Sequence, residues 1–361
     1  MRCTWQGSRV TQRLAVFALL LALLPGAALA AASPSGAERA ADAGRPLVGT
    51  AAPRLVLTNI DGQQIDLGHL YDTKAVYLKF WATWCVPCRE QMPHLEHTYL
   101  TAGSDLAVIA IDAGFNDTLA DVREYRQRLG LTMPIVLDDG RLDAAFNLRV
   151  TPQHVVIARG GRILYVGHLA DAPLEEALRT ARNSAPPDAA AGSRTAYTAA
   201  LQSVHYQIGD HVPDLTVSTL GGGTFQLGAP GRATVLAFLS PWCESYLARS
   251  RPQLAANCRA ARLQSQAHAA DPGLRWLAIA SGLWASPEDL ASYREQYHVT
   301  IPLTLDASGR LFREFRVMTV PTLVLIDANG RIAQRVVGAA AGSPNALRAL
   351  PMPTAERDPP R

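Results

Sequence analysis

The chain has little excess charge, few cysteines and no long apolar run outside its N-terminus. Its 361 residues carry a formal net charge of +3, which is too small to indicate nucleic-acid binding. Apart from Cys85 and Cys88, no Cys or His pair has the spacing of a zinc site. The composition, 48% hydrophobic and 18% charged, is that of a globular protein. The length favours about two domains, each able to bury a core.

The apolar run at the N-terminus, Leu14–Leu24, has the features of an export signal. Basic residues precede it, no acidic residue accompanies it, and Ala28-Leu29-Ala30 supplies small residues for cleavage. The run is too short to cross a membrane comfortably. We therefore expect residues 1–30 to be a signal peptide and the protein to be periplasmic, with an uncleaved N-terminal anchor as the alternative. Cleavage would remove Cys3 and leave four cysteines, which are Cys85, Cys88, Cys243 and Cys258.

The strongest evidence for a chemical function is a predicted strand that is followed by two cysteines and the start of a helix. The buried strand Ala75–Phe80 leads to Cys85-Val86-Pro87-Cys88. Cysteines three residues apart stand almost one helical turn from each other, within disulfide reach. Cys85 would lie at the helix N-terminus, where free N–H groups and the helix dipole lower a thiol pKa. We expect Cys85 to attack as a thiolate and Cys88 to resolve the mixed disulfide.

The second half of the chain repeats the pattern of the first. Pro241-Trp242-Cys243 repeats Thr83-Trp84-Cys85, and Val320–Ile332 repeats Val150–Ile163. Such self-similarity indicates a tandem duplication of one α/β unit. The expected order along the chain is a signal peptide (1–30), a flexible leader (31–46), a catalytic unit (47–182), a linker (183–207), a degenerate second unit (208–345) and a tail (346–361) that is disordered from Pro351 onward.

The first unit resembles the thioredoxin fold, specifically the exported TlpA/ResA-like thiol–disulfide oxidoreductases. The segment Phe80–Arg89, with Pro93 in the helix and Thr151-Pro152 before a strand, carries the resemblance. It implies two tandem thioredoxin-like domains, each a mixed α/β sheet flanked by helices. It also implies that the Thr151–Pro152 bond is cis, faces the dithiol and offers a backbone edge for a substrate segment beside Cys85. We expect Trp84 to form part of the apolar rim that a protein substrate touches.

The resemblance also implies the activity and the partners. Such proteins reduce disulfides in exported proteins, for example in the assembly of cytochrome c or of copper centres. The partners would be an exported thiol or disulfide substrate and a membrane or periplasmic electron donor. The Cys85–Cys88 disulfide would be the redox group, and no further cofactor is expected.

The residue at the strand position six before the first cysteine departs from the family pattern. Thioredoxin has a buried Asp there as a proton relay, whereas this chain has Lys79. One interpretation is that the Lys79 ammonium reaches the surface along its aliphatic stem. The other is that a partly buried ammonium near the dithiol favours the thiolate.

The second unit keeps a cysteine but loses the pair. Tyr246 stands at the resolving position, so this unit has no Cys-x-x-Cys, and Ala237 takes the place of Lys79. If one helix joined Cys243 to Cys258, they would be about 22 Å apart, beyond disulfide reach. We therefore expect Cys258 to be a small buried hydrophobe, unless the helix is broken. Cys243 is either a buried remnant, a lone reactive thiol or an exchange partner of Cys85, and we expect this unit to bind a partner.

Other functions use the same residues. Dithiol oxidation would run the exchange in reverse, and the sequence does not fix the reduction potential. A copper chaperone would use Cys85, Cys88 and His94 as soft ligands. A scaffold that recruits an assembly complex through its second unit is a third alternative. The histidines near the motif are otherwise expected to be surface or packing residues: His94, His97, His154 and His168.

Overall fold

Two five-stranded mixed sheets organise the chain in the computed structural model, which describes residues 33–185, 204–343 and 345–347. We call residues 33–185 the N-terminal lobe and residues 204–347 the C-terminal lobe. The predicted signal peptide, most of the predicted linker and nearly all of the predicted tail lie outside the described residues. Among the described residues, no helix is both long and apolar enough to cross a membrane.

The N-terminal lobe alternates strands with helices. Its elements are α1 (Gly36–Gly44), β1 (Val56–Thr58), β2 (Gln64–Asp66), α2 (Leu67–Thr73), β3 (Ala75–Trp81), α3 (Val86–Glu90), α4 (Met92–Leu100), β4 (Leu106–Asp112), α5 (Leu119–Leu129), β5 (Ile135–Leu137), α6 (Arg141–Ala145), β6 (Gln153–Ile157), β7 (Ile163–Gly167) and α7 (Ala172–Arg182).

The C-terminal lobe follows the same order without counterparts of α1 and α2, and it ends in a 3₁₀ helix where the N-terminal lobe has α7. Its elements are β8 (Thr216–Ser218), β9 (Thr224–Gln226), β10 (Ala233–Leu239), α8 (Cys243–Tyr246), α9 (Pro252–Ala267), β11 (Leu274–Ser281), α10 (Pro287–Tyr297), β12 (Leu303–Asp306), α11 (Arg310–Glu314), β13 (Thr322–Ile326), β14 (Ile332–Val337) and a 3₁₀ helix (Gly338–Gly342).

The two sheets have the same topology. The strand orders are β5-β4-β3-β6-β7 and β12-β11-β10-β13-β14. In each sheet the central strand is parallel to the next strand in sequence and antiparallel to the first strand of the final hairpin. The predicted fold class, two tandem α/β units with mixed central sheets, is therefore confirmed.

The central strand of each sheet is buried on both faces because helices cover the sheet on each side. All seven residues of β3 are buried, as are six of the seven in β10. A near-continuous apolar sequence is what a strand covered on both faces requires. The one charged residue in these two strands is Lys79, near the end of β3 where the active loop begins.

The predicted flexible leader is wrong in part, because it contains helix α1. Ser35 and Glu38 form a capping box at its N-terminus. Ala40 and Ala43 are fully buried, and α1 packs on β7, where Gly44 lies against Val166. Small residues three apart let the helix backbone approach a strand closely, so a composition that suggests flexibility here produces a packed helix.

Candidate active site

The predicted dithiol forms a disulfide at the end of β3. Cys85 and Cys88 are bonded, with their Cα atoms 5.2 Å apart. Cys85 is the N-cap of α3, and its sulfur lies 3.2 Å from the backbone nitrogen of Cys88. The helix stops at Gln91 and a new helix begins at Met92 with Pro93 in its first turn, so the chain bends where Pro93 predicts a kink. The sulfur-bearing turn is thus held by a short, separate helix.

The predicted cis-proline loop lies against this disulfide. The Thr151–Pro152 bond is cis, as the resemblance implies. The sulfur of Cys85 is 3.4 Å from the carbonyl oxygen of Thr151. The Pro152 carbonyl in turn is 2.7 Å from Nδ1 of His168, which fixes the loop from the other side. The backbone edge predicted to receive a substrate segment is therefore in place beside Cys85.

Trp84 is more buried than expected for a residue at the rim of a substrate site. It is only 3% exposed, and its indole N–H donates to the carbonyl of Phe115 at 2.7 Å. The C-terminal lobe repeats this contact, since the indole N–H of Trp242 donates to the carbonyl of Leu283 at 2.8 Å. Each tryptophan therefore ties its cysteine loop to the loop that follows the next parallel strand of the same lobe.

Lys79 does not reach the surface. Its side chain is fully buried, and Nζ has no hydrogen-bond partner among the described residues. Burial lowers the pKa of Lys79 to about 7. The interpretation that the ammonium extends to solvent is wrong because helices cover both faces of β3, leaving the stem no route outward. The alternative interpretation, a partly buried ammonium that favours the thiolate, stays a prediction; the amine is fully buried, and with this pKa it is partly neutral near pH 7.

A hydrogen-bonded chain connects the sheet beneath the active site to the active helix. His154 is the register partner of Lys79 on β6. Its Nδ1 is 2.7 Å from the hydroxyl of Tyr77, and its Nε2 is 2.8 Å from Oε1 of Gln91. Burial, followed by the charge of Lys79, lowers the pKa of His154 well below its usual value, so the imidazole is neutral. Sequence reasoning gave His154 a packing role and assigned none to Gln91.

Buried carboxyl groups support the other side of the active loop. Asp117 accepts hydrogen bonds from the backbone N–H and the hydroxyl of Thr83, at 2.8 and 2.6 Å. Burial raises the pKa of Asp117, and Arg251 of the C-terminal lobe opposes that rise from 2.6 Å. Burial and Asp117 together raise the pKa of Asp112 well above its usual value. The sequence did not reveal this group because Thr83 and Arg251 are 34 and 134 residues away from Asp117.

The two lobes meet through reciprocal backbone contacts. The N–H of Asn116 donates to the carbonyl of Met318 at 2.8 Å, and the N–H of Trp284 donates to the carbonyl of Arg149 at 2.9 Å. Asn116 and Trp284 occupy corresponding loops and both have positive φ, at 62° and 56°. Met318 and Arg149 each lie three residues before a cis-proline. The duplicated units therefore face each other through equivalent loops, as the subunits of an isologous dimer do.

This contact places the C-terminal lobe over the active site of the N-terminal lobe. The indole rings of Trp84 and Trp242 stack with centroids 4.9 Å apart. The indole N–H of Trp284 donates to the hydroxyl of Thr151 at 3.2 Å. Cys85 is only 2% exposed. The edge predicted for substrate docking is covered by the second unit in this conformation.

The prediction for Cys243 and Cys258 is wrong, because they form a disulfide with their Cα atoms 6.3 Å apart. A separation of about 22 Å requires one continuous helix between the two cysteines. Instead α8 ends at Tyr246, the chain turns, and α9 begins with Pro252 at its first position, where proline is tolerated. Cys243 is therefore neither a remnant nor a free thiol in this structure, and Cys258 is not simply a buried hydrophobe.

The histidines near the motif do not gather into a metal site in the part of the chain that the structure describes. His94 Nε2 lies 2.6 Å from a carboxylate oxygen of Glu175. No group of three or more His, Cys, Asp or Glu residues within the described ranges could hold a metal ion. Cys85 and Cys88 as copper ligands would require the reduced form, so copper binding stays a prediction.

The chain is similar to known thiol–disulfide oxidoreductases. Residues 47–180 match the family model described as Redoxin. The chain is 34% identical over 140 residues to the thiol-disulfide oxidoreductase ResA of Halalkalibacterium halodurans, covering 38% of this chain and 78% of that protein. It is 33% identical over 118 residues to ResA of Geobacillus kaustophilus, covering 32% of this chain and 66% of that protein, just under two thirds of its length. A solved thioredoxin-family thiol:disulfide interchange protein from Chlorobium tepidum TLS is 26% identical, covering 37% of this chain and 97% of that chain, with a TM-score of 0.32.

A Cys-x-x-Cys disulfide between a central strand and a helix, facing a cis-proline, defines a thioredoxin-like redox protein. The chain belongs to the ResA-like thiol–disulfide oxidoreductases and is an oxidoreductase of that family. The matching family model lies within the N-terminal lobe, which carries the Cys85–Cys88 disulfide.

Proposed function

We propose that this protein is a periplasmic reductase of disulfides in exported proteins. The observation that carries the proposal is the Cys85–Cys88 disulfide beside the Thr151 carbonyl and the cis-proline Pro152. Once the C-terminal lobe moves off this edge, a backbone carbonyl next to a reactive sulfur suits an extended protein segment better than a small molecule, because backbone pairing orients the segment without reading its sequence. The export-type N-terminus supports the periplasmic location.

The exchange runs in two steps. The thiolate of Cys85 attacks one sulfur of the substrate disulfide, a new S–S bond forms, and the other substrate sulfur leaves as a thiolate and takes up a proton. Cys88 then loses its proton and attacks Cys85, which breaks the mixed disulfide and releases the second substrate thiolate. The substrate gains two electrons and two protons, and the Cys85–Cys88 disulfide re-forms. A membrane or periplasmic dithiol donor would reduce it again.

Lys79 is suited to assist the second step. Its amine is buried on the sheet face that carries His154, whose imidazole contacts Gln91, three residues after Cys88. With a pKa of about 7, the amine is partly neutral near pH 7 and able to accept a proton. We propose that Lys79 takes up the proton of Cys88, the role that the resemblance assigns to the buried Asp of thioredoxin.

The test is turnover of a disulfide-bonded reporter peptide by the mature chain, with dithiothreitol as the reductant. We expect catalysis above the rate of dithiothreitol alone, lost in Cys85→Ser and retained in the matched variant Cys243→Ser/Cys258→Ser. Loss of activity in the second variant and not in the first would overturn the proposal. Osmotic-shock fractionation of cells that express the full chain would test the location, with release into the periplasmic fraction as the expected result.

A further inference from the structure

Tyr246 belongs to the C-terminal lobe but contacts the active loop of the N-terminal lobe. The backbone N–H of Val86 donates to the Tyr246 hydroxyl oxygen at 3.0 Å. Val86 directly follows Cys85, so this nitrogen is only a few covalent bonds from the attacking sulfur. The Tyr246 ring stands edge-on to Trp84 and Trp242, with centroids 6.4 and 6.0 Å away. A side chain of the second unit therefore lies beside the redox-active loop of the first.

The structure holds Tyr246 in this place from several sides. The Cys243–Cys258 disulfide closes the segment of chain that carries both Tyr246 and Arg251. Arg251 reaches across the lobe interface to Asp117 at 2.6 Å and to the carbonyl of Asn116 at 2.6 Å. These contacts fix the segment against the loop that supports Thr83, two residues before Cys85.

The first turn of the active helix leaves the Cys85 sulfur short of hydrogen-bond donors. Pro87 has no N–H, and the N–H of Val86 donates to the hydroxyl oxygen of Tyr246. The N–H of Cys88 remains, 3.2 Å from the Cys85 sulfur. A thiolate is stabilised by each donor that points at it, so a second donor at this position would lower the pKa of Cys85.

We propose that Tyr246 supplies this second donor and thereby completes the active site of the N-terminal lobe. Its oxygen accepts the Val86 N–H, while its own proton is donated to no protein acceptor in the described part of the chain and is free to reach the Cys85 sulfur once that sulfur is a thiolate. The bond from Val86 polarises the hydroxyl and strengthens it as a donor. Tyr246 occupies the position that the resolving cysteine has in the first unit. Tyr246 thus replaces the resolving cysteine in the second unit and acts on the dithiol of the first. This inference rests on the proposed thiol chemistry of Cys85.

The test is the pH dependence of Cys85 alkylation in the reduced full chain, in a Cys88→Ser background, with the modified residue assigned by mass spectrometry. Tyr246→Phe removes only the hydroxyl and keeps the ring beside Trp84. We expect the Cys85 pKa to rise, so that alkylation by iodoacetamide below that pKa slows about three- to tenfold while the high-pH limit is unchanged. Tyr297→Phe, in the same lobe and in ring contact with Tyr293, is the matched control and should leave the profile unchanged.

Two results would overturn the inference. One is an identical pH profile for Tyr246→Phe and the parent. The other is faster alkylation of Tyr246→Phe by the same factor at every pH, because this would mean that the hydroxyl only latches the lobes together. If the parent shows the Tyr246-dependent pKa but fails to reduce disulfides, the proposed function fails and this inference stands.

Discussion

The indole rings of Trp84 and Trp242 stack across the two lobes with their centroids 4.9 Å apart. Each tryptophan directly precedes the first cysteine of its own unit and donates its N–H to the equivalent carbonyl there, Phe115 or Leu283. The duplicated chain therefore pairs its two units through the surface that carries the redox chemistry. In this arrangement the second unit, which lacks a Cys-x-x-Cys, covers and shapes the site of the first.

Replacing the resolving cysteine should trap the substrate. In Cys88→Ser, the thiolate of Cys85 still attacks a disulfide, but nothing within the motif releases the product, so the mixed disulfide accumulates. Non-reducing electrophoresis and mass spectrometry of the reduced variant mixed with a disulfide-bonded protein would detect it. The matched variant Cys85→Ser should give no adduct. An adduct joined through Cys88, or through Cys243 or Cys258, would contradict the assignment of Cys85 as the nucleophile.

Replacing Lys79 with methionine should stabilise the oxidised protein at neutral pH. The pKa of Lys79 is about 7 in the folded state, against 10.5 for the ordinary side chain. The unfolded state therefore binds more protons between these values, so the stability of the parent rises as pH increases from about 7 to 10.5, and the cost of burying the ammonium is complete below pH 7. We expect Lys79→Met to be more stable by roughly 3–5 kcal/mol at pH 7, a difference that shrinks as pH rises.

Urea unfolding of the two oxidised proteins at several pH values from 6 to 10 would measure this difference. The same variant should slow resolution of the mixed disulfide if Lys79 accepts the Cys88 proton. A stability difference that stays constant over this pH range would show that Lys79 does not titrate as the structure indicates. An unchanged resolution rate would remove its role in proton transfer.

Loosening the lobe contact should expose the dithiol. Arg251→Met removes the ion pair with Asp117 at 2.6 Å and leaves a buried carboxyl without its partner, which is destabilising at that interface. We expect Cys85 in the reduced variant to react several-fold faster with a bulky maleimide, because more of the population is open. Arg259→Met is the control, since it alters an exposed arginine of α9 that lies 3.8 Å from Glu244 of α8. Equal rates for the parent and both variants would mean that the lobes already part freely.

The Cys243–Cys258 disulfide should stabilise the protein without taking part in turnover. The loop it closes spans 15 positions, for which chain entropy gives about 3 kcal/mol of stabilisation. We expect Cys243→Ser/Cys258→Ser to lower the unfolding free energy by about this amount in urea. The rate of reporter reduction with dithiothreitol should change much less. A loss of turnover as large as that of Cys85→Ser would instead make the second pair an exchange partner of the first.

The local features of the site could be predicted from the sequence, and the non-local ones could not. The pairing of Cys85 with Cys88 follows from a short motif, and the cis bond before Pro152 is implied by the resemblance of the first unit to the thioredoxin fold. The Cys243–Cys258 bond depends on a turn between two helices, which the spacing alone did not reveal. Burial of Lys79 depends on helices that cover both faces of its strand.

The packing of the lobes is also set by tertiary structure. Arg251 meets Asp117 because two duplicated units face each other, and no motif in either unit encodes the approach. Helix α1 could not be predicted for the same reason, since Ala40 and Ala43 are buried where α1 packs on β7.

The measurement that tests the account most directly is the reduction potential of the Cys85–Cys88 pair. It would be obtained by equilibrating the chain in dithiothreitol or glutathione redox buffers and counting free thiols at Cys85 and Cys88 by mass spectrometry, with Cys243→Ser/Cys258→Ser alongside. A reductase should have a potential near or below about −270 mV, the value for thioredoxin, in both proteins. A potential near about −120 mV, that of a strong oxidant, would contradict the proposed direction of electron flow.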